Sequence, residues 1–332
     1  MKEAKHVLLT FDYEPFLGKK SGTADKCIIE PTNALRAVLN RYKAKAVFFV
    51  DVLFLKNLAL HPALQNDHAK VVSQLVTLYK EGHSVFPHIH PHWLDAAYIK
   101  EKNQFDLGNL SRYSLAKFPE TDVRIMFSEA VSLLREIGID YDEWGYRAGG
   151  WCIQPFSLFK NAFAENSIGF EFSVLPGHKN ESENQRFDFT TVTSETPYYF
   201  SNAVETPDEA GSFLEFPIST VSFTSFTELK DKLIRKYLWK TGDRGWGDGL
   251  SAHTAALKTN AHKKEMISID VLNSSKLNSY KKFLDDHKYM HWISHPKMFT
   301  KHGLKTFDRF LHYADQKFSL EFDFKKQSPK NN

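Results

Sequence analysis

The sequence predicts an α/β fold carried by a largely parallel sheet or barrel, and two observations predict it. Short runs of β-branched and aromatic residues alternate with amphipathic helical stretches, the pattern of successive βα units. Polar clusters also recur directly behind the predicted strands, at Asp12 and Glu14, at His88 to His92, at Arg147 to Gly150 and at His295. In parallel α/β folds and barrels the carboxyl ends of the strands are where sites are built, so four segments far apart in sequence are expected to meet on one rim.

Val7 to Phe11 reads as the first strand. A helix follows Thr32, a suitable N-cap, with Ala34, Leu35, Val38, Leu39 and Tyr42 on one face. Ala46 to Val50 is the second strand. The next helix presents Val71, Val72, Leu75, Val76 and Tyr79 and stops at Gly82, which suits the left-handed position after a helix. Ser84 to Phe86 is the third strand. Thr121 to Ile137 reads as a helix, Pro155 opens another through Phe156, Phe159, Ala162 and Phe163, and the apolar run Phe170 to Leu175 follows. Residues 179–212 turn polar, which marks an insertion or long loop outside the core. Phe213 to Ile218 restores the strand pattern, helices are expected near 226–238, 275–286 and 303–313, and Tyr289 to Ile293 is a late strand.

The 332 residues suit one large domain or two modest ones. With 43 Lys and Arg against 40 Asp and Glu, the formal charge of +3 is too small for a nucleic-acid footprint, and no nucleic-acid partner is expected. Two cysteines, Cys27 and Cys152, form neither a disulfide framework nor a zinc knuckle and suggest a reducing compartment. The N-terminal apolar run is too short for a secretory signal, and no stretch reaches the roughly 20 apolar residues of a membrane span. A cytoplasmic location, with no transmembrane segment, is therefore the expectation, and any contact with a membrane-linked substrate would be peripheral.

The chemistry concentrates in Pro87-His88-Ile89-His90-Pro91-His92-Trp93. Alternating imidazoles are natural ligands for zinc and similar ions. If the segment is extended, all three rings share one side; if it turns after His88, His88 and His92 meet as an i, i+4 pair. His90 taken singly, like His83 and His287, reads as a structural histidine. In Thr10-Phe11-Asp12-Tyr13-Glu14-Pro15 two carboxylates stand at strand spacing on one side, one suited to a metal and the other to taking a proton from water.

Asp12-Tyr13-Glu14, Gly82-His83 followed by His88 and His92, Arg147-Ala148-Gly149-Gly150, and Ser294-His295-Pro296 resemble, in order, the motifs of the polysaccharide deacetylase (NodB-homology) family, carbohydrate esterase 4-like. The resemblance spans residues 7–300. It implies a distorted (β/α) barrel with a polar insertion around 179–212, a single catalytic domain over 1–325 and a short basic tail over 326–332. It implies one divalent metal, zinc, on Glu14, His88 and His92, with Asp12 as general base, Arg147 holding that base and His295 as the acid that protonates the leaving amine. Trp93 and Trp151 are expected to stack on sugar faces, and Gly149 and Gly150 to let backbone approach the substrate. The stretch 241–249 is expected to cover the site.

The implied activity is removal of an N-acetyl or related acyl group from a carbohydrate, as in a surface-polysaccharide precursor. Three departures from the family pattern stand out: Asp-Tyr-Glu for an adjacent Asp pair, Ala148 where a proline follows the arginine, and Leu214-Glu215-Phe216-Pro217 in place of an Asp and Trp motif. They motivate two alternatives, a carbohydrate-binding protein that has lost catalysis and a hydrolase of another C–N amide such as a formamide. A metal-dependent phosphoesterase is a third, disfavoured by the small number of acidic ligands.

Overall fold

A computed structural model describes residues 2–251, 258–259 and 264–327. Seven strands make the barrel: β1 (Ala4–Tyr13), β2 (Val47–Asp51), β3 (Ser84–Ile89), β4 (Trp144–Ala148), β5 (Ile168–Glu171), β6 (Phe213–Glu215) and β7 (Tyr289–Ser294). Each pairs in parallel with its neighbour in the spatial order β6-β5-β4-β3-β2-β1-β7. The chain beyond β6 then closes the ring. The Phe216 and Ile218 amides donate to the carbonyls of Glu171 and Val174 (both 2.9 Å), and the Ser219 amide donates to that of His291 (3.3 Å). The expected distorted (β/α) barrel is therefore the fold observed.

Phe49, Phe86, Phe172 and Phe216 fill the interior, with Phe172 and Phe216 stacked at 4.8 Å. Gly145 on β4 is required there, since a Cβ would come within 2.5–2.8 Å of the Phe86 and Phe172 rings. Phe324, from the C-terminal segment, packs edge-on against Phe86, Phe172 and Phe216 at 5.5–5.9 Å and completes the core.

Among the described residues, eight α-helices surround the strands: α1 (Glu30–Arg41), α2 (Val52–Leu60), α3 (Gln65–Lys80), α4 (Glu120–Glu136), α5 (Ser157–Glu165), α6 (Ser225–Lys240), α7 (Leu277–Asp286) and α8 (Lys301–Lys317). Three sequence expectations are corrected. Thr32 is not an N-cap but lies buried inside α1, because a π-turn at Asp25–Ile29 feeds the helix and Pro31 occupies its first turn. Helix α2 was hidden by its own composition: Val52, Leu53, Phe54, Leu55 and Leu58 are all buried, so it lacks the polar face that reveals a helix by period. The polar stretch 179–212 is not a plain loop. It holds a hairpin, His178–Glu181 with Arg186–Asp188, and a strand, Tyr198–Phe200, antiparallel to β6. Of the expected basic tail, residues 328–332 lie outside the described residues. No helix among the described residues is long and apolar enough to cross a membrane.

Candidate active site

The carboxyl ends of β1, β3, β4 and β7 deliver the polar clusters to one rim, around a cavity of about 260 Å³ lined by Asp12, Glu14, His90, Tyr113, Gly150, Trp151, His295 and Lys297 among others. Asp12 and Glu14 reach it because the i, i+2 spacing at the end of β1 turns both carboxylates the same way. Both are buried, at 5% and 3% exposure.

Asp12 is gripped from inside the barrel. Arg147, fully buried and lying over the Phe49 ring at 4.4 Å, donates through Nη1 to Asp12 Oδ1 (2.7 Å), through Nη2 to Thr10 Oγ1 (2.7 Å) and through Nε to the Phe172 carbonyl (3.0 Å). Burial pushes the Asp12 pKa up, but the Arg147 charge, with His88 and His295, outweighs it and holds the carboxyl below its ordinary value. The other oxygen, Oδ2, faces His295 Nε2 at 3.5 Å. His295 donates its Nδ1–H to Asp270 Oδ2 (2.6 Å), and the His295 amide donates to Asp270 Oδ1 (2.8 Å). Burial lowers the His295 pKa, yet Asp270 and Asp12 together raise it above the ordinary histidine value.

Glu14 meets two imidazoles. His88 Nε2 lies 3.3 Å and His90 Nε2 2.9 Å from Glu14 Oε2, while Oε1 accepts from Lys297 Nζ at 2.7 Å. Burial pushes the Glu14 pKa up; Lys297 and the two histidines pull it well below the ordinary range. His88 Nδ1 is 2.7 Å from the Arg147 carbonyl, which only accepts, so Nδ1 carries a proton and Nε2 is the nitrogen turned toward Glu14; burial lowers the His88 pKa, but Glu14, Asp12 and Asp51 outweigh it and raise it to about 9. Glu14 Oε2 and His88 Nε2 face each other at 3.3 Å, both buried and neither with a hydrogen-bond partner among the described residues. A cation bound there would take the place of the Nε2 proton, and a backbone carbonyl behind a ligating imidazole is how such ligands are oriented. Glu14, His88 and His90 each offer a ligand atom within 4.8 Å of the others, a three-donor set that fits a divalent ion with an open position.

This group differs from the expected Glu14, His88 and His92 set, with His90 in the place of His92. β3 runs to Ile89 and His90 is still extended (φ −110°, ψ 94°), so His88 and His90 share a side by strand alternation. Pro91 then starts a 3₁₀ turn, Pro91–Asp95, that carries His92 away to stack on Tyr113 at 5.0 Å, where burial drops its pKa to about 3. The same turn buries Trp93 (1% exposed) between Phe54 and Phe105, with its Nε1–H donated to Asp51 at 2.7 Å, so the expected sugar-stacking role is excluded for Trp93. Trp151 and Gly150 do line the cavity, whereas Gly149 sits behind it against Ile89 and His90. The stretch 241–249 crosses beside the site: the Gly247 amide donates to the Lys297 carbonyl (3.1 Å), and Thr23 Oγ1 donates to Asp248 (3.0 Å).

Asp270, Lys297 and Asp51 are site residues that motif reading missed. Lys297 stands two residues beyond His295 across Pro296, a spacing available as a signal; Asp270 comes from the connection between the short strand Lys264–Met266 and α7 and had none. Asp51 ends β2 beside His88 in register, and burial lifts its pKa to about 7. A second, larger cleft of about 720 Å³ adjoins the cavity, lined by Lys117, Gln154, Asn180, Arg186 and Asp188.

No protein-family model and no curated protein sequence matches the chain. Among solved structures, its fold is similar to 4-alpha-glucanotransferase from Thermococcus litoralis, with a TM-score of 0.52, 12% identity and coverage of 97% of this chain but 40% of that one. It also matches the catalytic domain of peptidoglycan N-acetylglucosamine deacetylase from Eubacterium rectale (TM-score 0.40, 13% identity, 96% of this chain and 88% of that one) and Puue allantoinase (TM-score 0.49, 10% identity, 96% and 86%). At these identities the likeness concerns the fold alone.

Proposed function

We propose that the chain is a metal-dependent hydrolase that removes an N-acetyl or related acyl group from a carbohydrate. The observation that carries this reading is the buried, unbonded pair Glu14 Oε2 and His88 Nε2, with His90 Nε2 alongside, at the edge of a cavity that also holds Asp12 and His295. Glu14, His88 and His90 would hold the ion, and a Glu-His-His set suits zinc. What such an ion supplies is a bound water of near-neutral pKa and polarisation of an amide carbonyl.

The chain's own groups supply the rest. Asp12, ionised and fixed by Arg147, turns Oδ2 toward the cavity to take the proton of the attacking water. His295, kept protonated by Asp270, presents Nε2–H to the departing amine nitrogen. Trp151 offers an apolar wall, and the adjoining polar cleft, with amide and guanidinium groups, suits the remaining hydroxyls of a saccharide.

Elemental analysis of purified protein beside His90→Ala, together with acetate release from N-acetylated sugars and sugar nucleotides, tests the reading. About one metal per chain, lost in the variant together with acetate release, is expected. A metal-free wild type, or acetate release no greater than that of His90→Ala, overturns it; saccharide binding without turnover would point to the binding-protein alternative, and formate to a formamide.

A further inference from the structure

Helix α6 reverses the usual layout of a surface helix, which buries an apolar stripe and exposes a polar one. Its one buried side chain is polar: Asp231 accepts from Asn273 Nδ2 at 2.7 Å and pairs with Arg235 at 2.5 Å, which ties the helix to the body. Phe226, Leu229, Leu233 and Tyr237, spaced three and four residues apart, form a continuous stripe pointing outward, with Trp239 on its flank; all five are 52–75% exposed. Lys230, Lys232, Lys236 and Lys240 are exposed around that stripe. The helix has two carboxylates, and neither belongs to this face: Asp231 is buried and Glu228 half-buried.

We propose that α6 is an interfacial helix that docks the protein on an anionic lipid surface. A stripe of Leu and aromatic side chains rimmed by lysines is what such a surface accepts, the apolar groups entering the acyl boundary while the ammonium groups stay among acidic headgroups. A second copy of the chain fits poorly, because pairing two such faces sets lysine rows against lysine rows. The placement also suits a surface-bound enzyme. Behind α6, Asp243 accepts from the Lys301 and His302 amides (3.1 and 2.9 Å), the Trp246 amide donates to the Phe299 carbonyl (3.0 Å), and the chain reaches the cavity wall at Ser251. The docking face and the candidate active site are thus joined by one short, anchored strap.

Co-sedimentation of the full chain with vesicles of phosphatidylglycerol and phosphatidylcholine, and with phosphatidylcholine alone, tests it, using Leu233→Asp and the double variant Lys232→Glu, Lys236→Glu, with circular dichroism and thermal melting as fold controls. Binding to the anionic vesicles that weakens at least about tenfold in either variant, and on raising the salt, is expected. Absence of binding by the wild type overturns the proposal, as does binding that both folded variants retain. In the absence of vesicle binding, a change of solution mass in Leu233→Asp would assign the face to a second copy, a lowered melting temperature would assign it to cover by the chain itself, and capture of an acidic protein would assign it to that partner; each of these overturns the lipid reading.

Discussion

The barrel buries two pairs of carboxyl groups at the same end, and their surroundings differ. Asp12 and Glu14 at the end of β1 line the cavity and are met by Arg147, Lys297 and three imidazoles. Glu171 and Glu215, paired in register at the ends of β5 and β6, are fully buried and form no ion pair among the described residues. They are held by neutral donors: Ser173 donates its hydroxyl and its amide (2.8 Å) to Glu171, and the Val174 amide donates to Glu215 (3.0 Å). Burial, with Glu171 beside it, pushes the Glu215 pKa well above its ordinary value, so Glu215 keeps its proton where Asp12 and Glu14 lose theirs. Burial alone therefore does not make a reactive acid here; the cations brought to it decide the charge.

The sharpest way to break this contrast is to remove the ionised member. Glu14→Gln and His90→Ala are expected to abolish metal binding and cut turnover by more than about 100-fold, whereas His92→Ala should keep the metal and most of the turnover; elemental analysis beside acetate release measures both. Arg147→Met leaves Asp12 buried without its partner and should cost about 3–5 kcal/mol in urea unfolding. At the second pair, Ser173→Ala removes a donor to Glu171 and the acceptor of the Ala148 amide, at about 1–2 kcal/mol by the same measurement.

The smallest effect belongs to Glu215→Gln. A carboxyl whose folded pKa lies above its unfolded one binds extra proton in the native state, so its stability contribution is fullest below the unfolded pKa and is lost as pH rises through the folded value. Glutamine has no such proton to lose. Melting temperatures at pH 5 and pH 8 should differ less for the variant than for the wild type, by about 1–3 °C.

Much of the barrel was legible because β1, β3 and β7 are apolar runs set between periodic helices. Helix α2 was not, since its five buried apolar residues, four of them consecutive, leave no clear helical period to read. At the site, Asp12, Glu14, His88, Arg147 and His295 were all marked by sequence and all meet on the rim. Asp270 was invisible, because an aspartate outside any motif gains meaning only from the imidazole it is folded against.

By itself the sequence determined which residue types could do chemistry and that they follow strands, since strand alternation and composition are local properties. The choice of His90 over His92, the burial of Trp93 and the meeting of Lys297 with Glu14 were decided only by the tertiary structure. One proline turn after β3 reverses which imidazole faces the acid, and whether a chain turns or continues there depends on what it packs against: here α2, Phe105 and Tyr113.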